Sequence, residues 1–355
     1  MAIAQQIQEW GVIMKLKIDA KSLHDGLAGC FTSSQIEIYE YVMLEAKEGQ
    51  LVLTSQDGAK QRIVRLPAKA VKPGGAVLSP KPMRGVLGGL SGDVEISLRS
   101  NKEGGPVAVD LKQDSNIGKR KYDFKCLLPE TFPVFETGGE VPWEIDFAAL
   151  ATAIDEVSYA GGINDSRDYL NSVFIGRNAV VASDGHRLAM IPIETGPVEF
   201  IVPFESVRSL MTFIGSGEKI SAHHCYAGER FTRLGFNSES QDIALKLNTG
   251  KYIDFLRVMP DEKQVNYKAR FNRLEFMAAL DRLIASGSFE KLIKLIFKPE
   301  SDDVLCVRTR DDSVDYVACD KSENNALPEI GVNILYVRGA LRAMTTEYVW
   351  LHAKN

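Results

Sequence analysis

Ile18-Asp19-Ala20-Lys21-Ser22-Leu23, Ile145-Asp146-Phe147-Ala148-Ala149-Leu150 and Phe271-Asn272-Arg273-Leu274-Glu275-Phe276 are three versions of one pattern. Each is a short strand running at once into a helix with apolar residues at helical spacing. The helices continue through Leu27-Ala28, through Ile154 to Val157, and through Leu280 to Ile284. The openings lie 127 residues apart (Ile18 to Ile145) and then 126 (Ile145 to Phe271), so the chain repeats at the scale of a domain. A second strand–helix–strand pattern falls halfway through each unit. It reads Val77-Leu78-Ser79-Pro80 to Arg84, Phe200-Ile201-Val202-Pro203 to Arg208, and Val332-Asn333-Ile334-Leu335 to Arg338. Alternating Val, Ile and Leu segments between these helices, such as Leu51 to Thr54 and Val304 to Val307, read as antiparallel strands. The expectation is an α+β chain of three like domains, each built of two strand–helix–strands modules. Their bounds are 14–135, 140–260 and 265–355, behind an appended or mis-started N-terminal tail at 1–13.

The units do not end alike. The first two run on for more than thirty residues past the strand of the second module, whereas the third reaches Asn355 a few residues after Trp350. By the repeat, the third domain is expected to lack its last two strands. An open sheet edge is expected there unless the N-terminal tail or a partner covers it.

Composition narrows the function. With 45% hydrophobic and 25% charged residues, the chain is an ordinary globular protein, long enough for two or three domains. A net charge of -5 argues against gripping nucleic acid by bulk charge, though not against a basic face. Five scattered cysteines without a CxxC fit reduced thiols in a cytoplasmic protein. No apolar run approaches the ~20 residues of a membrane span, and residues 1–13 lack the signature of a secretory signal.

The most informative turn is Val181-Ala182-Ser183-Asp184-Gly185-His186-Arg187-Leu188-Ala189-Met190. Val173 to Ile175 and Val180 to Ala182 read as a hairpin, Ser183-Asp184-Gly185 as a turn, and Leu188 to Met190 as a resumed strand. The turn is expected to point His186 and Arg187 outward. Ser183, Asp184 and His186 do not make a hydrolase, because triad members converge from separate elements and no G-x-S-x-G elbow occurs. His223-His224-Cys225 does not make a metal site, because neighbours on a strand face opposite ways. Gly85 to Gly92 is not a phosphate-binding loop. Neither catalysis, metal nor cofactor is expected.

Ala182 to Ala189 resembles the A-T-D-G-H-R-L-A signature of the bacterial sliding clamp, the DNA polymerase III beta subunit family. Gly250-Lys251-Tyr252-Ile253-Asp254-Phe255-Leu256-Arg257-Val258-Met259-Pro260 resembles the same family's G-[KR]-F-P-D-Y-x-R-V-[LI]-P segment, and Leu128 to Pro133 its domain-one ending. With the threefold repeat, the resemblance covers the chain from Met14 onward. It implies three DNA-clamp domains with helices on the inner face and antiparallel sheets outside. It implies a non-catalytic processivity factor, two copies of which close head to tail around duplex DNA without sequence preference. DNA polymerase, clamp loader and repair proteins would dock through short linear motifs.

The resemblance places the partner-peptide pocket at Leu170, Ser183, Gly185, His186, Arg187, Leu188, Arg257 and Val258. Ile253 stands where the family has Pro, and the family's apolar C-terminal pocket residues have no counterpart. Asn164, Arg167 and Tyr169 fall where the family approaches DNA. Arg84, Arg208 and Arg338, which recur at one helical register, and Arg342 one turn on, are candidates for the DNA-facing surface. Ring closure would set Ile284 and Ala285 against Tyr122 and Phe124, with ordinary core packing as the competing explanation. The setting implied is the cytoplasm of a bacterium, or a phage- or plasmid-encoded copy. A second reading stays open: a monomeric clamp-like adaptor or accessory paralogue that binds a replication or repair partner without forming a ring.

Overall fold

In the computed structural model, residues 14–30, 35–100, 106–135, 141–197, 199–211, 220–227, 230–265, 267–286, 292–297, 304–324 and 329–354 are described. Residues 1–13, the proposed tail, lie outside them. The described chain forms two compact units. The first spans Met1–Phe147 with Glu205–Leu247, the second Ala148–Phe204 with Asn248–Asn355, so the division falls inside the middle repeat.

Each repeat begins as its sequence requires. Strand β1 (Lys15–Asp19) passes into α1 (Ala20–Ala28), and the Asp19 carboxylate accepts from the Ser22 amide at 2.9 Å. Strand β18 (Tyr267–Asn272) passes into α5 (Arg273–Ala285), where Asn272 accepts from the Leu274 and Glu275 amides. The polar residue ending each strand thus caps the helix that follows. In the middle repeat β10 (Val141–Glu144) precedes α3 (Phe147–Ser158). The second modules supply α2 (Pro80–Leu87), α4 (Phe204–Met211) and α6 (Ile334–Ala343), the last capped by Asn333.

The first unit holds two sheets. One is five-stranded: β5 (Lys69–Lys72), β1, β7 (Asp93–Ser100), β8 (Pro106–Ser115) and β9 (Gly118–Lys125), in that order. The other runs β10, β15 (Ser221–Ala227), β16 (Arg230–Asn237), β17 (Gln241–Lys246), β4 (Lys60–Pro67), β3 (Gln50–Gln56), β2 (Val42–Lys47), β6 (Gly74–Leu78). The joint between the first and second repeats is the antiparallel pair β17·β4, with Ile243 opposite Arg62 and Asp242 opposite Ile63. Arg65 adds an ion pair to Asp242, and Arg62 donates to Gln241 Oε1 at 2.6 Å.

The second unit holds a four-stranded sheet, β13 (Leu188–Pro192), β12 (Ala179–Ser183), β11 (Ser172–Ile175), β14 (Phe200–Pro203). Its six-stranded sheet runs β22 (Ile330–Asn333), β19 (Leu292–Phe297), β20 (Val304–Thr309), β21 (Val314–Asn324), β18, β23 (Tyr348–Ala353). Strand β21 bonds β20 through 314–318 and β18 through 319–324. Among the described residues β23 is an edge strand, paired only with β18, as the repeat predicts. Among the described residues, six α-helices and antiparallel sheets, two modules per repeat, match the expected α+β architecture.

Candidate functional site

The 183–188 turn is tied together by its own side chains. Asp184 Oδ1 accepts from the His186 and Arg187 amides at 2.9 and 3.0 Å, and Oδ2 accepts from Arg187 Nε at 2.9 Å. Ser183 Oγ donates to the Arg187 carbonyl at 2.8 Å and accepts from the Gly185 amide at 3.1 Å. The hydroxyl and carboxylate of a supposed triad are thereby used to hold the turn, an Asx-type arrangement. Gly185 has φ +84°, and a Cβ there would lie 3.1 Å from Arg167 Nη2 and 3.5 Å from Leu170 Cδ1. The positive φ is what favours glycine here, while an added Cβ would need only a small shift of the exposed Arg167 side chain.

Arg187 corrects the expectation that it points outward. Its guanidinium folds back over the Tyr336 ring, 4.6 Å from the centroid, and over Tyr159 at 5.5 Å. Only 25% of its side chain is exposed. It braces the turn against α6 and the turn that follows α3, while His186 beside it stays exposed. Burial pushes the Tyr159 hydroxyl above its ordinary pKa, and the adjacent Arg187 charge works against that shift. Helix α6 presents Gly339 at this contact: a Cβ there would meet Arg187 Nη1 and Tyr159 Cδ2 at 3.3 Å.

The 250–260 segment is attached to the same hairpin. Tyr252 stacks on Phe174, centroids 4.9 Å apart, and meets Tyr169 edge-on at 6.2 Å. Phe255 tilts against Phe174 at 5.8 Å. Leu188, Met190 and Ile253 pack on this cluster. Burial raises the Tyr252 phenol well above its usual pKa. Beyond the cluster Leu256 and Val258 are each 67% exposed, and Arg257 reaches into solvent with its Nε 2.8 Å from Asp254. Leu170 and Ser183 are buried beneath the turn. Within this unit, therefore, Leu188 and the 252–255 segment share one apolar cluster, with His186, Arg257 and Val258 exposed around it. Tyr159, Tyr252 and Tyr336 were not among the expected residues. Only the aromatic types of Tyr252 and Phe255 inside the 250–260 motif signalled a docked segment.

The other expected sites divide. Arg167 is exposed but holds Asp165 through Nε at 2.9 Å, which draws the Asp165 carboxyl down to about 2. Asn164 is exposed in a left-handed conformation, φ +57°. Tyr169 is half-buried against Tyr252 rather than free. Arg208 and Arg342 are exposed. Arg338 is ion-paired with Asp281 of α5, and Arg84 Nε is buried, so the three recurring arginines do not share one environment. Phe124 corrects another expectation: it is 8% exposed and belongs to the core of its own domain, with Tyr122 packed beside it. Ile284 and Ala285, at the end of α5, are exposed. His223 is buried with its ring where a Gly235 Cβ would be, 2.1 Å from the ideal position.

No protein-family model matches the chain. The beta sliding clamp of Escherichia coli (strain K12) is 22% identical over 326 residues, 87% of this chain and 83% of that protein. That of Pseudomonas putida is 25% identical over 346 residues, 89% and 85% of the two chains. A DNA polymerase sliding clamp from Pseudomonas aeruginosa, solved with a ligand, superposes with TM-score 0.81 at 22% identity, covering 95% of this chain and 92% of that one. The Bacillus subtilis clamp gives 0.80 at 17% identity, covering 96% and 93%.

Proposed function

This chain is a divergent relative of the bacterial beta sliding clamps, and we propose that it is itself a DNA sliding clamp: two copies close head to tail around duplex DNA in the cytoplasm and tether replication and repair proteins. The observation that carries the ring is the β17·β4 joint. There the last strand of one repeat bonds the first-module sheet of another. Strand β9 is the first repeat's counterpart of β17, and its outer edge is free among the described residues. The counterpart of β4 in the third repeat is β21, whose 314–318 segment bonds β20 on one side only. Joining β9 of one copy to 314–318 of another repeats the same antiparallel joint and closes a two-copy ring. On β9 Lys119, Lys121, Asp123 and Lys125 are exposed, while Asp315 on β21 is already held by Arg282, so the edges offer backbone pairing rather than a clear charge match. Val314 and Tyr316, 37% and 51% exposed, supply apolar surface there, with exposed Ile284 at the end of α5, which packs on β21.

A ring holds DNA topologically, so weak phosphate contacts suffice and a net negative chain is no obstacle. Exposed Arg208 on α4 and Arg342 on α6 would make such contacts. Partner peptides dock on the apolar surface of Leu188 and Val258, rimmed by His186 and Arg257, with Leu170, Ser183 and Gly185 shaping it from below. Arg187 acts there by bracing the turn. Light scattering tests the ring: the expected mass is twice 39.2 kDa. The protein is expected to be retained on nicked circular DNA and lost on linearisation. A monomer that ignores DNA topology would instead establish the adaptor reading.

A further inference from the structure

One sheet face of the third repeat departs from its counterpart in the first. The helix caps Asp19 and Asn272 fix the correspondence between β1 and β18. In the first repeat Asp19, Lys17 and Lys15 stand opposite Asp93, Glu95 and Ser97 of β7. In the third, Asn272, Arg270 and Lys268 stand opposite Tyr348, Trp350 and His352 of β23. Two carboxylates and a hydroxyl thus give way to three rings. The rings alternate with Val349 and Leu351, which pack into the core, so all three share the outward side of one strand. Trp350 is 46% exposed and Tyr348 38%, and His352 is exposed beside them. Arg270 lies over Tyr348 at 4.8 Å and Trp350 at 5.9 Å, its guanidinium held by Asp320. A cation covers only one side of a ring and leaves the other to solvent. The Trp350 and His352 planes stand 66° apart, so neither ring is stacked on the other.

We infer that this face is a platform for single-stranded nucleic acid, whose bases stack on Tyr348, Trp350 and His352 while Arg270 and Lys268 lie beside its phosphates. Outward side chains on a strand recur about every 6.6 Å. A single strand can splay its bases to such an interval, and every base has a planar face to lay on a ring. Sheet faces that carry two or three aromatic residues bind unpaired bases in this way. A duplex keeps its bases stacked on one another and has none to offer, so this ligand is distinct from the duplex of the ring and does not depend on that reading. Proline-rich peptides are less suited, because they dock in aromatic-lined grooves rather than on the open face of a sheet. Charge alone would not select the ligand: Asp320 already shares Arg270, and the chain is net negative. Stacking therefore carries the binding. The platform is the outward side of β23 and makes no use of that strand's unpaired edge.

Fluorescence anisotropy on the full chain tests this, with a short labelled oligothymidylate and a strand of equal length whose sugars are all abasic. The oligothymidylate should bind and the abasic strand should bind far more weakly. Unlabelled oligothymidylate should also quench tryptophan emission in the parent and not in Trp350→Ala. Loss of one stacking ring should weaken binding about tenfold in Trp350→Ala, with circular dichroism unchanged, and Trp350→Phe should recover most of it. Retention on nicked circular DNA should be the same in Trp350→Ala as in the parent, which separates this platform from ring closure. The inference is overturned if oligothymidylate does not bind, or if the abasic strand binds as tightly, which would leave charge as the only attraction. It is equally overturned if Trp350→Ala and Tyr348→Ala bind like the parent, or if a proline-rich peptide quenches Trp350 and oligothymidylate does not, which would assign the face to a polypeptide.

Discussion

The guanidinium of Arg187 lies 4.6 Å from the ring centroid of Tyr336, although 149 residues separate them. The tyrosine is on α6 and the arginine on the hairpin turn, so this contact joins the second and third repeats inside one unit. Tyr159 completes the sandwich from the turn just after α3. A half-buried cation against two aromatic faces contributes about 1–2 kcal/mol, and the Asp184 ion pair fixes its direction. Arg187→Ala is expected to lower stability by about that amount in urea unfolding. Arg187→Lys should recover less than half, because an ammonium cannot lie flat on the rings. Tyr336→Phe should be nearly neutral, since the face is kept. An unchanged denaturation midpoint in Arg187→Ala would mean the brace carries no load.

Phe174 makes the other bond between hairpin and motif, stacked on Tyr252 and tilted against Phe255. Phe174→Ala removes a side chain only 9% exposed and should cost about 3–5 kcal/mol. Its distinctive consequence is local. With the ring gone, the 250–260 segment loses its anchor, and trypsin should cut after Lys251 and Arg257 much faster than in the parent. Equal cutting rates would show that Ile253 and Leu188 suffice to hold the segment.

How far such contacts could be foreseen depends on their distance along the chain. The helix starts were legible because Asp19, Asn272 and Asn333 each cap within three residues. The hairpin was legible because apolar runs at 173–175, 180–182 and 188–190 bracket an Asp-Gly turn. The partners of Arg187 were not, since polar residues in a turn ordinarily face water and nothing local marks Tyr159 or Tyr336. Phe124 misled for a related reason. Alternation on a strand shows that one face is covered but not by what, and here the cover is its own domain's core. The division into two units inside the middle repeat rests on the β17·β4 pairing, a contact with no local signature.

Gly235 tests a close approach. A Cβ there would lie 2.1 Å from the His223 ring, which is buried. Gly235→Ala must therefore displace a packed imidazole in the eight-stranded sheet, an overpacking that costs about 1–3 kcal/mol. Adding His223→Ala should recover part of the loss, because the two positions share one space. A double-mutant cycle by denaturant unfolding measures this; simple additivity would contradict the contact.

Cys30 should be chemically silent in the folded chain. Its thiol is 9% exposed and donates to the Gly26 carbonyl at 3.4 Å, and burial pushes its pKa up to about 11. The thiolate is the nucleophile, so at pH 8 both access and ionisation are against reaction. Mass spectrometry after iodoacetamide should find Cys30 unmodified in native protein and fully modified in denaturant. Labelling of the native chain at the denatured rate would show that the end of α1 opens freely.

Asp165 gives the pH dependence of the loop below the hairpin. Its carboxyl accepts from the Arg167 side chain and amide, and the side-chain bond is the larger cause of a pKa near 2 against an ordinary 3.8. A carboxyl depressed by folding stabilises the folded state fully above the ordinary value. That contribution is lost as pH falls from about 4 towards 2, where the folded-state carboxylate takes up its proton. The carboxyl carbon of Asp165 should accordingly titrate near 2 by NMR. Arg167→Gln should move the midpoint up towards 3.8, while the backbone bond from residue 167 holds it somewhat below that value. Since Arg167 also stands 3.1 Å from where a Gly185 Cβ would be, the same substitution should shift the Gly185 amide resonance. A midpoint near 3.8 in the parent chain would mean that Arg167 is not held by Asp165 and is free to turn outward.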